Sequence, residues 1–211
     1  MSHFTVAVFT KPNGKTLEEL LAPYDEGITY DRYVEYTKAE LIDKSKKEIA
    51  EYATTGHYAE YIKDPDDYKK NCENMAHLKY LEFEFPQRLK WTDEEHYLHA
   101  IEYYSESKIG EDGEVYSTYN PKSKWDWYKI GGRWQGMLNG LDSAKVSDAS
   151  FDSDFRTFAV VTPDGEWFER GSMGWWACVS NEEKDWEDMY KERFIDTADP
   201  SWTITIVDCH I

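Results

Sequence analysis

The residues best suited to chemistry are concentrated between positions 119 and 134, Tyr-Asn-Pro-Lys-Ser-Lys-Trp-Asp-Trp-Tyr-Lys-Ile-Gly-Gly-Arg-Trp. Residues 122–134 hold Lys122, Lys124, Lys129 and Arg133 against the single acid Asp126, a net of +3 in a chain whose total is −18. Such an island suits a local anion, because phosphate oxygens need paired charge even where the global field repels them. Tyr119, Trp125, Trp127, Tyr128 and Trp134 add flat faces, and base stacking on such faces contributes about 1–3 kcal/mol each. Lys124 and Arg133 are the candidate phosphate contacts, Asn120 reads a base edge or ribose hydroxyl, and Asp126 accepts from one. Gly131 and Gly132 let a backbone approach a ligand with no Cβ in the way. The chemistry these types allow is recognition of a small, anionic, aromatic ligand of nucleotide type. The same alternation also fits a half-buried strand with core indoles, Asp126 holding a loop and Gly-Gly making a turn. Gly-Gly-Arg lacks the glycine spacing of a Walker or dinucleotide loop.

Other constellations are thinner. Residues 167–176, Trp-Phe-Glu-Arg-Gly-Ser-Met-Gly-Trp-Trp, place Arg170 and Trp175 beside two glycines, as in a loop that closes over a ligand. The plainer reading is a bend, with its indoles divided between core and surface. His96 and His99 lie three apart beside Glu95 and Glu102 but lack the His-Glu-X-X-His zinc signature, and read as surface histidines on a charged helix. No metal or cofactor is assigned. At the C-terminus, Cys209 and His210 alternate along a strand and face opposite ways, so they form no dyad, whereas Asp208 and His210 share a side. No Gly-X-Ser-X-Gly elbow, P-loop or kinase set occurs.

These residues need elements to hold them. Residues 4–10 are β-branched and aromatic, largely apolar on both faces, and stop at Lys-Pro-Asn-Gly, which predicts a central first strand. A short helix starts at Thr16 and ends near Pro23. Capping boxes at Thr37/Glu40, Thr92/Glu95 and Ser180/Glu183 open three longer helices. Short helical pieces, broken at Asp64-Pro65, fill residues 57–85. Residues 115–119 read as a strand and the small-residue stretch 139–153 as a mobile connection. Residues 155–170 form a hairpin about Pro163-Asp164-Gly165, and residues 202–210 alternate as a closing strand. The expected fold is α+β: a single domain with a ferredoxin-like split βαβ antiparallel sheet on strands at about 4–10, 155–170 and 202–210, and a helical elaboration over about 53–140.

At 211 residues the chain can bury roughly 70% of its extended surface in one core without a metal or disulfide staple. Disorder is excluded by a 16% aromatic content, and the −18 charge disfavours general nucleic-acid or anionic-membrane binding. Three unspaced cysteines read as reduced thiols; the N-terminus has no leader pattern and no apolar run nears the ~18 residues of a membrane span, so a soluble cytoplasmic protein is expected.

Several phrases together resemble a group of uncharacterised proteins of bacteriophages and bacteria: Ser-His-Phe-Thr-Val at the start, Leu-Ala-Pro-Tyr-Asp-Glu at 21–26, the 119–134 window, Met-Gly-Trp-Trp at 173–176 and Val-Asp-Cys-His-Ile at the end. The resemblance runs nearly end to end and brings no activity with it. It implies a setting in a bacterial host cell, where phage accessory proteins act on host defence and some sequester nucleotide-derived alarm signals. The leading expectation is therefore a non-catalytic binder that sequesters a cyclic nucleotide or ADP-ribose-type signal, with homo-oligomerisation left open. An acidic protein-binding inhibitor or nucleic-acid mimic is the second reading, and a nucleotide hydrolase using Asp126, Asp208 or His210, with Arg133 stabilising charge, is the third.

Overall fold

A computed structural model describes residues 2–174 and 178–211. In chain order its first elements are β1 (His3–Thr10), α1 (Leu17–Leu21), β2 (Tyr33–Tyr36), α2 (Lys38–Thr55), α3 (His57–Lys63) and α4 (Pro65–Asn71). Then follow α5 (Met75–Lys79), α6 (Phe85–Arg88), α7 (Asp93–Ile101), β3 (Val115–Ser117), β4 (Trp127–Ile130) and β5 (Ser143–Lys145). The chain closes with β6 (Ala159–Val161), β7 (Trp167–Glu169), β8 (Ser172–Met173), β9 (Val179–Ser180), α8 (Trp186–Tyr190) and β10 (Thr203–His210). It divides into two compact units, one made of the residues up to Tyr30 with Tyr119–Ile211, the other of Asp31–Thr118.

The first unit is built on a mixed sheet in the order β4-β10-β1-β6-β7, with β5 also pairing β10. The first and last strands pair antiparallel over their whole length, His3 opposite His210 and Thr10 opposite Thr203. Side chains on β1 alternate between two apolar layers, which is why Phe4 and residues 6–9 of the strand are all apolar. Phe4, Val6 and Val8 join Val207, Cys209 and the α1 leucines Leu17, Leu20 and Leu21 on one side. On the other, Ala7 and Phe9 join Ile204, Ile206, Val160 and the Trp186, Tyr190 and Phe194 rings. Thr16 and Glu19 cap α1 reciprocally. The β6–β7 hairpin turns where the sequence places it, with Gly165 at φ +91° and its N–H donating to the Thr162 carbonyl.

The fold is mixed, with helices and a mixed sheet, but the split pattern is not what the strands form. β6 runs parallel to β1 and pairs with it directly, Val6 opposite Ala159, so no third strand separates them. Two local expectations also change. Residues 139–153 contain β5, whose Ser143 hydroxyl meets that of Thr205 at 2.8 Å, instead of a loose connection. Ser180 pairs with Ser172 in the β8–β9 ladder, and α8 starts six residues later without a side-chain cap.

The second unit contains the β2–β3 ladder and α2 to α7. Both its expected capping boxes form, Thr37 with Glu40 on α2 and Thr92 with Glu95 on α7. Leu41, Tyr97 and Val115 centre its core. His96 is a buried residue here, its Nδ1 3.0 Å from the Ser45 hydroxyl, which corrects the surface reading. Among the described residues no helix is long and apolar enough to cross a membrane.

Candidate functional site

Antiparallel pairing fixes which side chains of β4, β10 and β1 lie on one face, because directly opposed residues point the same way. Trp127 opposes His210 and Lys129 opposes Asp208 across β4 and β10. His3 opposes the same His210, and Thr5 the same Asp208, across β1. Farther along that face the positions are Ala7, Phe9, Ile204 and Ile206, covered by the α8 region. One end of the face is thus apolar core, and the other end is a polar patch of imidazole and carboxylate.

The patch contains two pairs. His3 Nδ1 lies 2.8 Å from Asp208 Oδ1, and His210 Nδ1 lies 2.6 Å from Asp126 Oδ1. An ionised carboxylate only accepts, so each Nδ1 carries the proton and donates, which leaves each Nε2 as the open position. The two rings stand 5.0 Å apart at 74°, and the Trp127 indole lies on His210 at 5.0 Å and 16°. His210 Nε2 is buried and has no hydrogen-bond partner among the described residues. A buried polar atom left unsatisfied costs about 1–3 kcal/mol, so its presence calls for a reason.

The glycines of the window explain how Asp208 is held. β4 ends in a turn with Gly131 at φ +71° and Gly132 at φ +55°. Gly132 packs so closely that a Cβ there would sit 2.3 Å from the Asp208 Cβ. The next amide, Arg133 N–H, donates to Asp208 Oδ2 at 3.0 Å. Three phrases that are far apart in sequence, around His3, residues 126–133 and residues 208–210, therefore meet at one place.

Several residues expected to contact a ligand are engaged inside the protein. Trp125 is 7% exposed in the α1-side core and donates its indole N–H to the Leu21 carbonyl at 3.2 Å. Asn120 is fully buried, donates to the Pro23 and Asp25 carbonyls and accepts from the Lys122 amide. Lys124 is neutralised by Glu169 at 2.7 Å. Tyr128 meets Trp125 edge-on at 5.0 Å, with burial pushing its hydroxyl pKa up, and Trp134 packs half-buried near Leu138. Arg170 reaches Glu182 and Glu187 rather than open space. Trp175 lies outside the described residues.

What stays available is a smaller set. Trp127 is 44% exposed, and Tyr119, 52% exposed, shares its hydroxyl with Ser123 and Glu26. Lys122, Lys129 and Arg133 are exposed and form no ion pair among the described residues. Asp126 joins His210 instead of waiting for a ligand, and His3 enters the site although its sequence context gives no sign of it. Its one signal is its place at the start of an alternating strand, which has meaning only once the partner strand is known. Among the described residues, no group of three or more His, Cys, Asp and Glu side chains is disposed to hold a metal ion. No protein-family model, curated protein or solved structure matches the chain.

Proposed function

We propose that the sheet unit binds a small anionic ligand with an aromatic ring, of the nucleotide class, at the polar end of the β4–β10–β1 face. The observation that carries this reading is the half-exposed Trp127 indole on an edge strand, followed two residues later on the same face by Lys129, a cation with no ion-pair partner among the described residues. Stacking on Trp127 supplies a sequence-tolerant contact of about 1–3 kcal/mol. Lys129 and Arg133 supply the local positive charge that a phosphate requires in an acidic chain. In the phage and bacterial setting that the sequence resembles, capture of such a ligand removes a host defence signal from its receptor.

Calorimetric titration with nucleoside phosphates, ADP-ribose, cyclic mononucleotides and cyclic dinucleotides tests the reading. At least one binds, and Trp127→Ala and Lys129→Glu each weaken that binding about tenfold, which corresponds to ~1.4 kcal/mol. Binding by none of them, or equal binding by the variants, refutes it.

A further inference from the structure

We infer that His210 and His3 act as an acid–base pair that hydrolyses a phosphodiester in the ligand bound at this face. The inference rests on the binding reading above and adds chemistry to it. A binder has no need of two imidazoles, each fixed through Nδ1 by its own carboxylate and neither given a hydrogen-bond partner at Nε2 among the described residues. That arrangement is what proton transfer requires, because the carboxylate sets the tautomer and stabilises the imidazolium that forms. His3 and His210 are cross-strand partners on the sheet with ring centroids 5.0 Å apart, so their relative placement is set by the backbone and not by loops. The unpartnered, buried Nε2 of His210 is the lone pair that a reacting proton would meet.

The step balances without a metal or redox partner. His210 Nε2 takes a proton from water as the water oxygen bonds to phosphorus. The bond from phosphorus to the leaving oxygen breaks, and His3, entering as imidazolium, gives its Nε2 proton to that oxygen. The products are a phosphomonoester and an alcohol, and exchange with solvent restores both rings. Lys129 and Arg133 carry the charge that balances the phosphoryl oxygens. His210, whose Nε2 has no partner among the described residues, takes the base role, which leaves the acid role to His3 across the strand pair. Trp127 stacks on one face of His210, so the proposed step requires the indole to move aside for water to reach Nε2.

Release of 4-nitrophenolate from bis(4-nitrophenyl) phosphate, and phosphorus NMR of cyclic mononucleotides and cyclic dinucleotides, test the pair in the full chain. Turnover by the unaltered protein is expected, with His210→Gln and His3→Gln lowering kcat at least about 100-fold while KM changes little. Asp126→Asn, at a 30%-exposed carboxylate where folding is least at risk, lowers kcat by a smaller factor because it releases the tautomer. Near-UV circular dichroism reports whether each variant is folded. No cleavage of any of these phosphodiesters, or full activity in folded His3→Gln and Asp126→Asn, overturns the inference. Calorimetry on the same samples separates the two failures: binding that depends on Trp127, without product, removes the chemistry and leaves the binding site standing.

Discussion

Replacing Gly132 with alanine tests how tightly the β4 turn clamps Asp208. A Cβ at this position would lie 2.3 Å from the Asp208 Cβ and 2.5 Å from its Oδ2, and neither atom has slack, since the first is bonded to the β10 backbone. Asp208 must shift, giving up the amide of Arg133 that donates to it at 3.0 Å. Losing a hydrogen bond to a charged group costs about 2 kcal/mol. Holding alanine at φ +55° adds about 1 kcal/mol. The expected loss is therefore about 3 kcal/mol. Gly140 provides the control, because its φ is +93° but a Cβ there meets nothing within 4 Å, so Gly140→Ala carries only the backbone part, about 1 kcal/mol. Urea unfolding followed by tryptophan fluorescence reads the difference. Six of the seven tryptophans among the described residues belong to the sheet unit, so the signal reports the unit that contains the clamp. Equal destabilisation by the two substitutions would show that Gly132 is only a turn residue and that Asp208 is not held as described.

Thiol reactivity provides a second check. Burial, with the neighbouring Asp208 charge, pushes the Cys209 pKa far up, so a thiol reagent at pH 8 modifies exposed Cys178 and half-buried Cys72 but reaches Cys209 only after denaturation. Rapid modification of all three in the folded protein would contradict this placement. The helical unit offers a pH test: hydrogen bonds from Thr37 and Thr92 hold Glu40 and Glu95 below their ordinary value of 4.5. Groups with lowered folded pKa values contribute stability that is full above the unfolded value and lost as pH falls through the folded one. Helical circular dichroism of residues 31–118 should therefore weaken below about pH 4.5, and Glu40→Gln with Glu95→Gln should flatten that part of the profile. An unchanged profile in the double variant would assign the acid sensitivity elsewhere.

The legible parts of the fold are those decided by neighbours in sequence. Residues 4–10 read as a central strand because their apolar side chains fall on both faces, and β1 is buried on both. Thr37/Glu40 and Thr92/Glu95 cap real helices because a capping box uses only groups three residues apart. Ser180/Glu183 has the same pattern and fails, since Ser180 is drawn into the ladder opposite Ser172. A local preference of about 1 kcal/mol is easily outweighed by pairing that removes several exposed amides.

The candidate site divides in the same way. Composition and spacing picked out residues 119–134 as a cationic, aromatic stretch, but they did not tell which indole would be free. On an unbroken strand Trp125 and Trp127 would share a face; the chain bends at Asp126, which sends Trp125 into the α1-side core and leaves Trp127 over His210. The amino-acid sequence alone determined the first and last strands, the β6–β7 hairpin, the helix starts at Thr16, Thr37 and Thr92 and the basic aromatic window, because each depends on contacts within a few residues. Only the tertiary structure decided that His3, Asp126, Asp208 and His210 come together, because the pairing of the first and last strands joins positions about as far apart as the chain allows.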